Sequence, residues 1–273
     1  MNHQKIVFIG GGNMGHCLIA GLIADGYSPQ AIYVVDPDPE TRERIKLEYQ
    51  ISVFESPEQV MNSAEIVVLA VKPQIMESAI NSIKSFIDFP QPLIISIAAG
   101  ICTKSIATWL GEEVPIVRTM PNTPAMVGSG ATALFATKHV TAEQRALAES
   151  VMRAVGIVEW LDDEALMDVV TAVSGSGPAY FFRIMEAMEK AAIKMGLSDE
   201  QARLLTVQTA FGASKMALES PQDPATLRVQ VTSPGGTTEQ ALNILDQNKI
   251  DAIFEQVLEA AKNRSKELSN ELG

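Results

Sequence analysis

The sequence predicts an α/β N-terminal domain built on a parallel sheet, followed by an all-α C-terminal domain. From Lys5 to about Leu161, short β-branched runs alternate with stretches of helical spacing, the pattern of a sheet covered by helices. After "LDDE" at 161–164 the strand signal stops, and spacings of three and four run almost to the C-terminus. The 273 residues also exceed the ~100–200 of a usual single domain. Two domains are therefore expected, 1–163 and 164–273, dividing near Asp163.

The clearest strands are "KIVFI", "AIYVV", "EIVVLA", "LIISI" and "PIVRT", apolar on both faces as a doubly covered sheet requires. After the first, "HCLIAGLIADG" puts Leu18, Ile19, Leu22 and Ile23 on one helical face and ends at Gly26, a good residue just past a helix end. "TAEQRALAESVMRAVG" starts at Thr141 as N-cap, with an acid in its first turn, and stops at Gly156. In the second half, a helix opened by Pro178 repeats Phe181, Ile184, Met185, Met188, Ala192 and Met195 as a broad stripe for core or subunit interface. Leu204 to Ser214, "LLTVQTAFGAS", carries no charge on any face and must be surrounded. A helical domain of about 110 residues has few other helices to surround it, so a second copy of the chain is the natural supply and a homodimer is expected.

Composition narrows the partners. Acidic residues outnumber basic ones 33 to 21, giving a net charge of -12. No basic footprint exists for nucleic acid or an anionic membrane, which leaves small molecules and proteins. Cys17 and Cys102 are too few for a disulfide framework and lack metal-ligand spacing, which suits a reducing cytoplasm. No carboxylate cluster suggests a metal. "KIVFIGGGNMGHCLIAGLIA" has the outline of a signal peptide, but its glycines have a better explanation. Elsewhere no apolar run reaches the roughly 18 residues of a transmembrane helix.

Gly10, Gly12 and Gly15 in "FIGGGNMG" follow a strand directly and open a helix. Gly10 allows a tight turn, Gly12 removes a side chain where a pyrophosphate must approach, and Gly15 lets helix and strand pack closely. The amides at such a helix start form an anion site. An acid at the end of the next strand, Asp36 in "VVDPDP", falls where a dinucleotide-binding, Rossmann-type unit needs one. Asp36 can accept hydrogen bonds from the adenosine ribose and repels a 2′-phosphate, which favours NAD(H). Arg42 and Arg44 follow closely and can offset that repulsion, so NADP(H) stays open. The plainer reading of Asp36 is a cap on the next helix or turn. Farther on, "VKP" at 71–73 and "SIAAG" at 96–100 end two strands at the carboxyl edge, where such sheets bind ligands and small residues let a flat ring lie close.

The chemistry follows by elimination. His3 is terminal, His16 sits in the first turn of the glycine-loop helix and His139 is in a loop, so a histidine proton relay is not expected. "SGSGP" at 174–178 lacks the spacing and partners of a nucleophile elbow, so Ser176 is read as a helix cap and Pro178 as the first helical residue. What remains is cofactor chemistry on a substrate, such as a protonated imine, that needs hydride and little else from side chains. In the helical half, "TSPGGTT" offers backbone amides and the hydroxyls of Ser233, Thr237 and Thr238 at a helix start, a carboxylate cradle. The competing reading is a bare cap in which Thr237 or Thr238 satisfies the helix end.

"FIGGGNMG", "AVKPQ", "SIAAG", "MPNTPA", "AVSGSGPAY" and "VTSPGGTT", in this order and spacing over nearly the whole chain, resemble pyrroline-5-carboxylate reductase. The resemblance implies reduction of 1-pyrroline-5-carboxylate to L-proline by NADPH or NADH, the last step of proline biosynthesis. It implies a Rossmann domain and a helical dimerisation domain that interlocks with its twin, with dimers assembled into decamers. By matching positions, Ser233, Pro234, Gly235, Gly236, Thr237 and Thr238 would hold the substrate carboxylate, with Thr238 hydrogen-bonding the ring nitrogen. Gly10, Gly11, Gly12, Asn13, Met14, Gly15, Asp36, Ala70, Val71, Lys72, Pro73, Ile97, Ala98 and Ala99 would contact NADP or NAD. The loop of one chain would face the nicotinamide held by the other. Two departures stand out. Asp36-Pro37 replaces the small polar residue common in NADPH-preferring members, and Pro57 lies where an asparagine is common.

Two rival functions are defined by the same residues. A β-hydroxyacid dehydrogenase-like enzyme would need a Gly-x-x-x-Asn-Lys helix, whereas "AYFFRIMEAMEK" lacks that pair. A non-catalytic dinucleotide-sensing protein would bind cofactor without turnover.

Overall fold

The computed structural model describes residues 4–87, 91–111 and 113–272. Two compact units emerge, one running to Ser176 and including the chain from Ala261 onward, the other Gly177–Ala260. By compactness the chain thus divides after Ser176, with its C-terminal end counted in the first unit. Within the first unit Ser265 Oγ donates to Asp168 at 2.7 Å, and Glu164 is bound by Arg118 and Thr103.

The first unit holds β1 (Ile6–Ile9), α1 (Asn13–Ala24), β2 (Ile32–Val35), α2 (Pro39–Tyr49), β3 (Ser52–Phe54), β4 (Ile66–Leu69), α3 (Met76–Ile83), β5 (Leu93–Ser96), α4 (Thr103–Leu110), β6 (Ile116–Met120), β7 (Gly130–Ala136), α5 (Ala142–Arg153), β8 (Gly156–Trp160) and α6 (Met167–Val170). One eight-stranded sheet runs in the order β3-β2-β1-β4-β5-β6-β7-β8. Along β1, Ile6 and Phe8 join a core cluster with Leu18, Ile19 and Ile45, while Val7 and Ile9 join another with Val67, Ile80 and Ile94. Successive residues of a strand point to opposite faces, so both faces are covered, as the uninterrupted apolar runs require. The segment with a signal-peptide outline is this β1, its turn and α1. Among the described residues no helix is long and apolar enough to cross a membrane.

The sheet is not wholly parallel. β7 pairs antiparallel to β6, and β8 runs parallel to β7. The link from Met120 to Gly130 is one short 3-10 turn, Thr123–Val127, too brief for the crossover of about a dozen residues that a parallel neighbour needs. α5 does supply such a crossover, and it starts with a capping box between Thr141 and Gln144. Gly156 does not stop that helix; it opens β8 so close to Gly130 that a Cβ would lie 2.0 Å from the Gly130 carbonyl oxygen. At the end of α1, Gly26 has φ +89 and the Gly26 and Tyr27 amides bond back to Ile23 and Leu22, a Schellman closure.

Ser176 is not a cap. Residues Thr171–Gly175 form a π-helical turn, and Ser176 keeps helical dihedrals with its amide bonded to Thr171 O at 2.8 Å. Gly177, not Pro178, is the first residue of the next helix.

In the second unit stand α7 (Gly177–Lys194), α8 (Asp199–Glu219), α9 (Pro224–Gln230), α10 (Thr237–Gln247) and the start of α11 (Ile250–Leu272). Their apolar stripes are uncovered by the chain itself. Phe181 and Met188 on α7 are exposed, as are Leu204, Leu205 and Phe211 on α8, with Leu204 at 66%. Large apolar side chains grouped this way mark a surface that another molecule covers.

Candidate functional site

At the carboxyl edge of the sheet, the chain leaves β1 toward β2 on one side and β4 on the other, a switch point where such sheets open a crevice. Three predicted segments meet there. A Cβ on Gly10 (φ +98) would lie 2.7 Å from Ala70 O and 2.9 Å from Val71, so only glycine lets the turn after β1 approach the end of β4. A Cβ on Gly15 would lie 3.0 Å from Gly10 O, which brings α1 tight against the strand end. The Ala70 amide bonds Ile9 O at 2.8 Å, and the Ile97 amide bonds Leu69 O at 3.2 Å, adding "SIAAG" to the same edge.

Gly12 differs from its neighbours, because a Cβ there would meet nothing within 4 Å. No side chain caps α1, which leaves its first-turn amides without a side-chain partner. These are the features a dinucleotide pyrophosphate needs: uncommitted donors, the positive end of a helix and room for two phosphates. The residues present fit such a cofactor.

Asp36, half-buried at the end of β2, accepts from the Gly11 amide through Oδ2 at 2.7 Å and from the Asp38 amide through Oδ1 at 2.9 Å. It therefore ties the glycine loop to the β2 turn and closes a local turn of its own. The helix cap is the neighbouring Asp38, which accepts from Thr41 and whose carboxyl that contact holds below the usual carboxylate range. Arg42 Nη1 donates to Asp36 O at 2.7 Å. Lys72 is exposed, and its ammonium has no partner among the described residues.

The other predicted segment lies in the helical unit. Gly235 is left-handed, φ +72, and Gly236 caps α10 with extended backbone and no side-chain bond. Neither Thr237 nor Thr238 caps the helix, so the plain capping reading is not what the loop does. Among the described residues the hydroxyls of Ser233, Thr237 and Thr238 have no partner, and Thr238 is half-buried. Glu239 reaches back to accept the Gly235 amide at 2.9 Å, which fixes the turn against the helix start. With the Gly235 and Gly236 amides already bonded to Glu239 and Ser233 O, the arrangement offers three hydroxyls and the amides that begin α10 to a small anion.

His16, in the first turn of α1, packs edge-on against Tyr49. Its Nε2 lies 2.9 Å from the Tyr49 hydroxyl, whose pKa burial and Glu48 push up, and its Nδ1 is buried without a partner among the described residues. His3 lies outside the described residues.

Two clusters were not assigned roles from the sequence. Asn122 of "MPNTPA", buried, donates to Ser174 O and Oγ at 3.2 Å each and accepts from the Ala131 amide at 2.9 Å. It fixes the loop after β6 to the π turn, and Ser174 is thereby engaged rather than free as a nucleophile. The second is a cavity of about 450 Å³ lined by Arg42, Val53, Phe54, Glu55, Ser56 and Gln59. Its signal was hidden because β3 is only three residues long.

Comparison with known proteins places this geometry. Residues 164–268 match the family described as pyrroline-5-carboxylate reductase dimerisation, and residues 5–100 match NADP oxidoreductase coenzyme F420-dependent. The chain is 50% identical over 273 residues to pyrroline-5-carboxylate reductase of Pseudomonas aeruginosa, covering 100% of both. It is similar to the solved structure of a pyrroline-5-carboxylate reductase from Coxiella burnetii, with TM-score 0.95 and 46% identity over 98% of this chain and 99% of that one. The Plasmodium falciparum pyrroline carboxylate reductase, solved with NADP bound, gives TM-score 0.86 and 31% identity over 98% and 99%.

Proposed function

The chain belongs to the pyrroline-5-carboxylate reductase family, and on that premise we propose that it reduces 1-pyrroline-5-carboxylate to L-proline with NAD(P)H, the last step of proline biosynthesis, through the two sites described above. One observation carries the substrate assignment. The loop before α10 keeps its helix start uncapped and leaves the hydroxyls of Ser233, Thr237 and Thr238 unused. Such an unspent donor set suits one small carboxylate.

The reduced nicotinamide, when bound, supplies the hydride that saturates the ring C=N bond. Gly12 and the first-turn amides of α1 bind the pyrophosphate. Asp36 accepts from the adenosine ribose, while Ala70 to Pro73 and Ile97 to Ala99 provide a small-residue floor for the nicotinamide half. The segment Ser233 to Thr238 grips the substrate carboxylate, and Thr238 hydrogen-bonds the ring nitrogen and steadies its proton. A substrate that enters as a protonated imine needs no further acid, which agrees with a histidine already engaged by Tyr49.

The helical unit carries a dimerisation domain. The exposed faces of α7 and α8 support a homodimer in which the loop of one copy serves the dinucleotide site of its partner. The decisive experiment is an assay with pyrroline carboxylate and each reduced nicotinamide in parallel. Substrate-dependent loss of nicotinamide absorbance is expected. Cofactor binding with no turnover would instead identify a dinucleotide sensor.

A further inference from the structure

Beside the glycine loop, the groups that would face an adenosine are already committed to one another. The Asp36 carboxylate is pinned by two amides, from Gly11 at 2.7 Å and Asp38 at 2.9 Å. Arg42 donates through Nη1 to the backbone Asp36 O at 2.7 Å, and its Nη2 lies 3.8 Å from Glu55 Oε2. Arg44 is turned toward Gly11 O, 3.4 Å away. A cavity of about 450 Å³ has Arg42 and Glu55 on its wall, and it is joined to Asp36 through the Asp36 amide, which bonds O of the lining residue Phe54 at 3.0 Å. An adenosine resting there meets a carboxylate on either side and one arginine already shared between a carbonyl and Glu55.

We propose that Asp36, Glu55 and Arg42 together select the non-phosphorylated dinucleotide, so that this enzyme binds NADH in preference to NADPH. The proposal rests on reading the glycine loop as the dinucleotide site. A 2′-phosphate adds close to two negative charges at physiological pH. Placed at the ribose it would face Asp36 directly, and its attraction to Arg42 would be offset by the Glu55 carboxylate 3.8 Å from that guanidinium. A free ribose, by contrast, donates its hydroxyls to Asp36 at no electrostatic cost. Glu55 is the residue with no precedent in the glycine fingerprint. It acts on Arg42 from the far wall of the cavity, as a positioning residue.

The test uses the full chain and calorimetric titration with NAD⁺ and NADP⁺, which reads binding apart from turnover. The wild-type protein is expected to bind NAD⁺ more tightly. Glu55→Gln should narrow the ratio about two- to fivefold by releasing Arg42, the scale of one exposed ion contact. Asp36→Ser should narrow it on the order of tenfold or more. Adding Arg42→Ala to Glu55→Gln should restore the wild-type ratio. Glu55 is 78% exposed, so its variant tests the idea without burdening the fold. NADP⁺ binding as tightly as NAD⁺ to the wild type overturns the proposal while leaving the reductase assignment intact. A ratio unmoved by Glu55→Gln removes Glu55 and Arg42 from it. Failure of both dinucleotides to bind overturns the dinucleotide site itself.

Discussion

Arg118 Nη1 donates to Glu164 Oε1 at 2.9 Å, and Thr103 fills the same carboxylate with its amide at 2.8 Å and its hydroxyl at 2.6 Å. Three segments distant in sequence, α4, β6 and the turn leading to α6, thus meet at one charge. Arg118 is nearly fully buried, whereas Glu164 keeps 22% of its surface. Replacing Arg118 with Met strands a mostly buried carboxylate. The expected loss is about 2–4 kcal/mol, at or below the range for a fully buried pair because some water still reaches Glu164. Chemical denaturation of Arg118→Met against wild type measures it, and a loss under about 0.5 kcal/mol would mean the pair contributes only as a surface contact does.

Thr238→Ala should lower kcat/KM roughly tenfold to a hundredfold, the effect of about 1–3 kcal/mol for one lost hydrogen bond to the reacting molecule. Thr238→Ser, which keeps the hydroxyl, should recover most of it. Steady-state kinetics with pyrroline carboxylate decide the matter, and unchanged constants in the alanine variant would exclude Thr238 from the site.

Gly10 and Gly12 should respond in opposite ways. Gly10→Ala forces φ +98 on a side chain and drives its Cβ to 2.7 Å from Ala70 O, so thermal unfolding should reveal a loss of about 1–3 kcal/mol. Gly12→Val has open space for its side chain. Its melting temperature should stay near wild type while dinucleotide affinity collapses. Retained affinity would show that no phosphate passes over Gly12.

Leu204→Glu on α8 places a charge on the uncovered apolar face and should shift the protein toward smaller species in sedimentation velocity. An unchanged distribution would move the self-association surface to another helix.

Tyr27 donates to Gln4 O at 2.5 Å, and burial, with the charge of Glu65 second, raises its pKa to about 12 from 10.0. A phenol whose folded pKa lies above its unfolded one stabilises the fold fully below the unfolded value and loses that contribution as pH climbs through the folded one. The wild type should therefore lose stability relative to Tyr27→Phe between about pH 10 and about pH 12. Paired denaturation curves across that window check it, and parallel pH dependences would count against it.

Much of the dinucleotide half was legible because one physical requirement wrote both its glycines and its strands. Gly10, Gly15 and Gly26 each occupy the backbone state or the tight contact expected of them. What escaped reading depends on pairings without a local pattern. β3 shows only "SVF", and β7 reverses direction because the link after Met120 is short, not because its residues differ from a parallel strand's. Asn122 looked like one polar residue among loop residues until Ser174 and Ala131 supplied its partners. Glu55 carries meaning only through the Arg42 side chain across the cavity. The loop from Ser233 to Thr238 was readable in composition, but its uncapped helix start was not.

The bare flank of α8 has a thermodynamic corollary. Where Leu204, Leu205 and Phe211 find cover only on another molecule, association contributes to folding by mass action, and the melting point should climb with protein concentration. Resistance to heat then belongs to the assembled species more than to a single polypeptide, and a change on α8 that weakens association would reach catalysis by depleting that species.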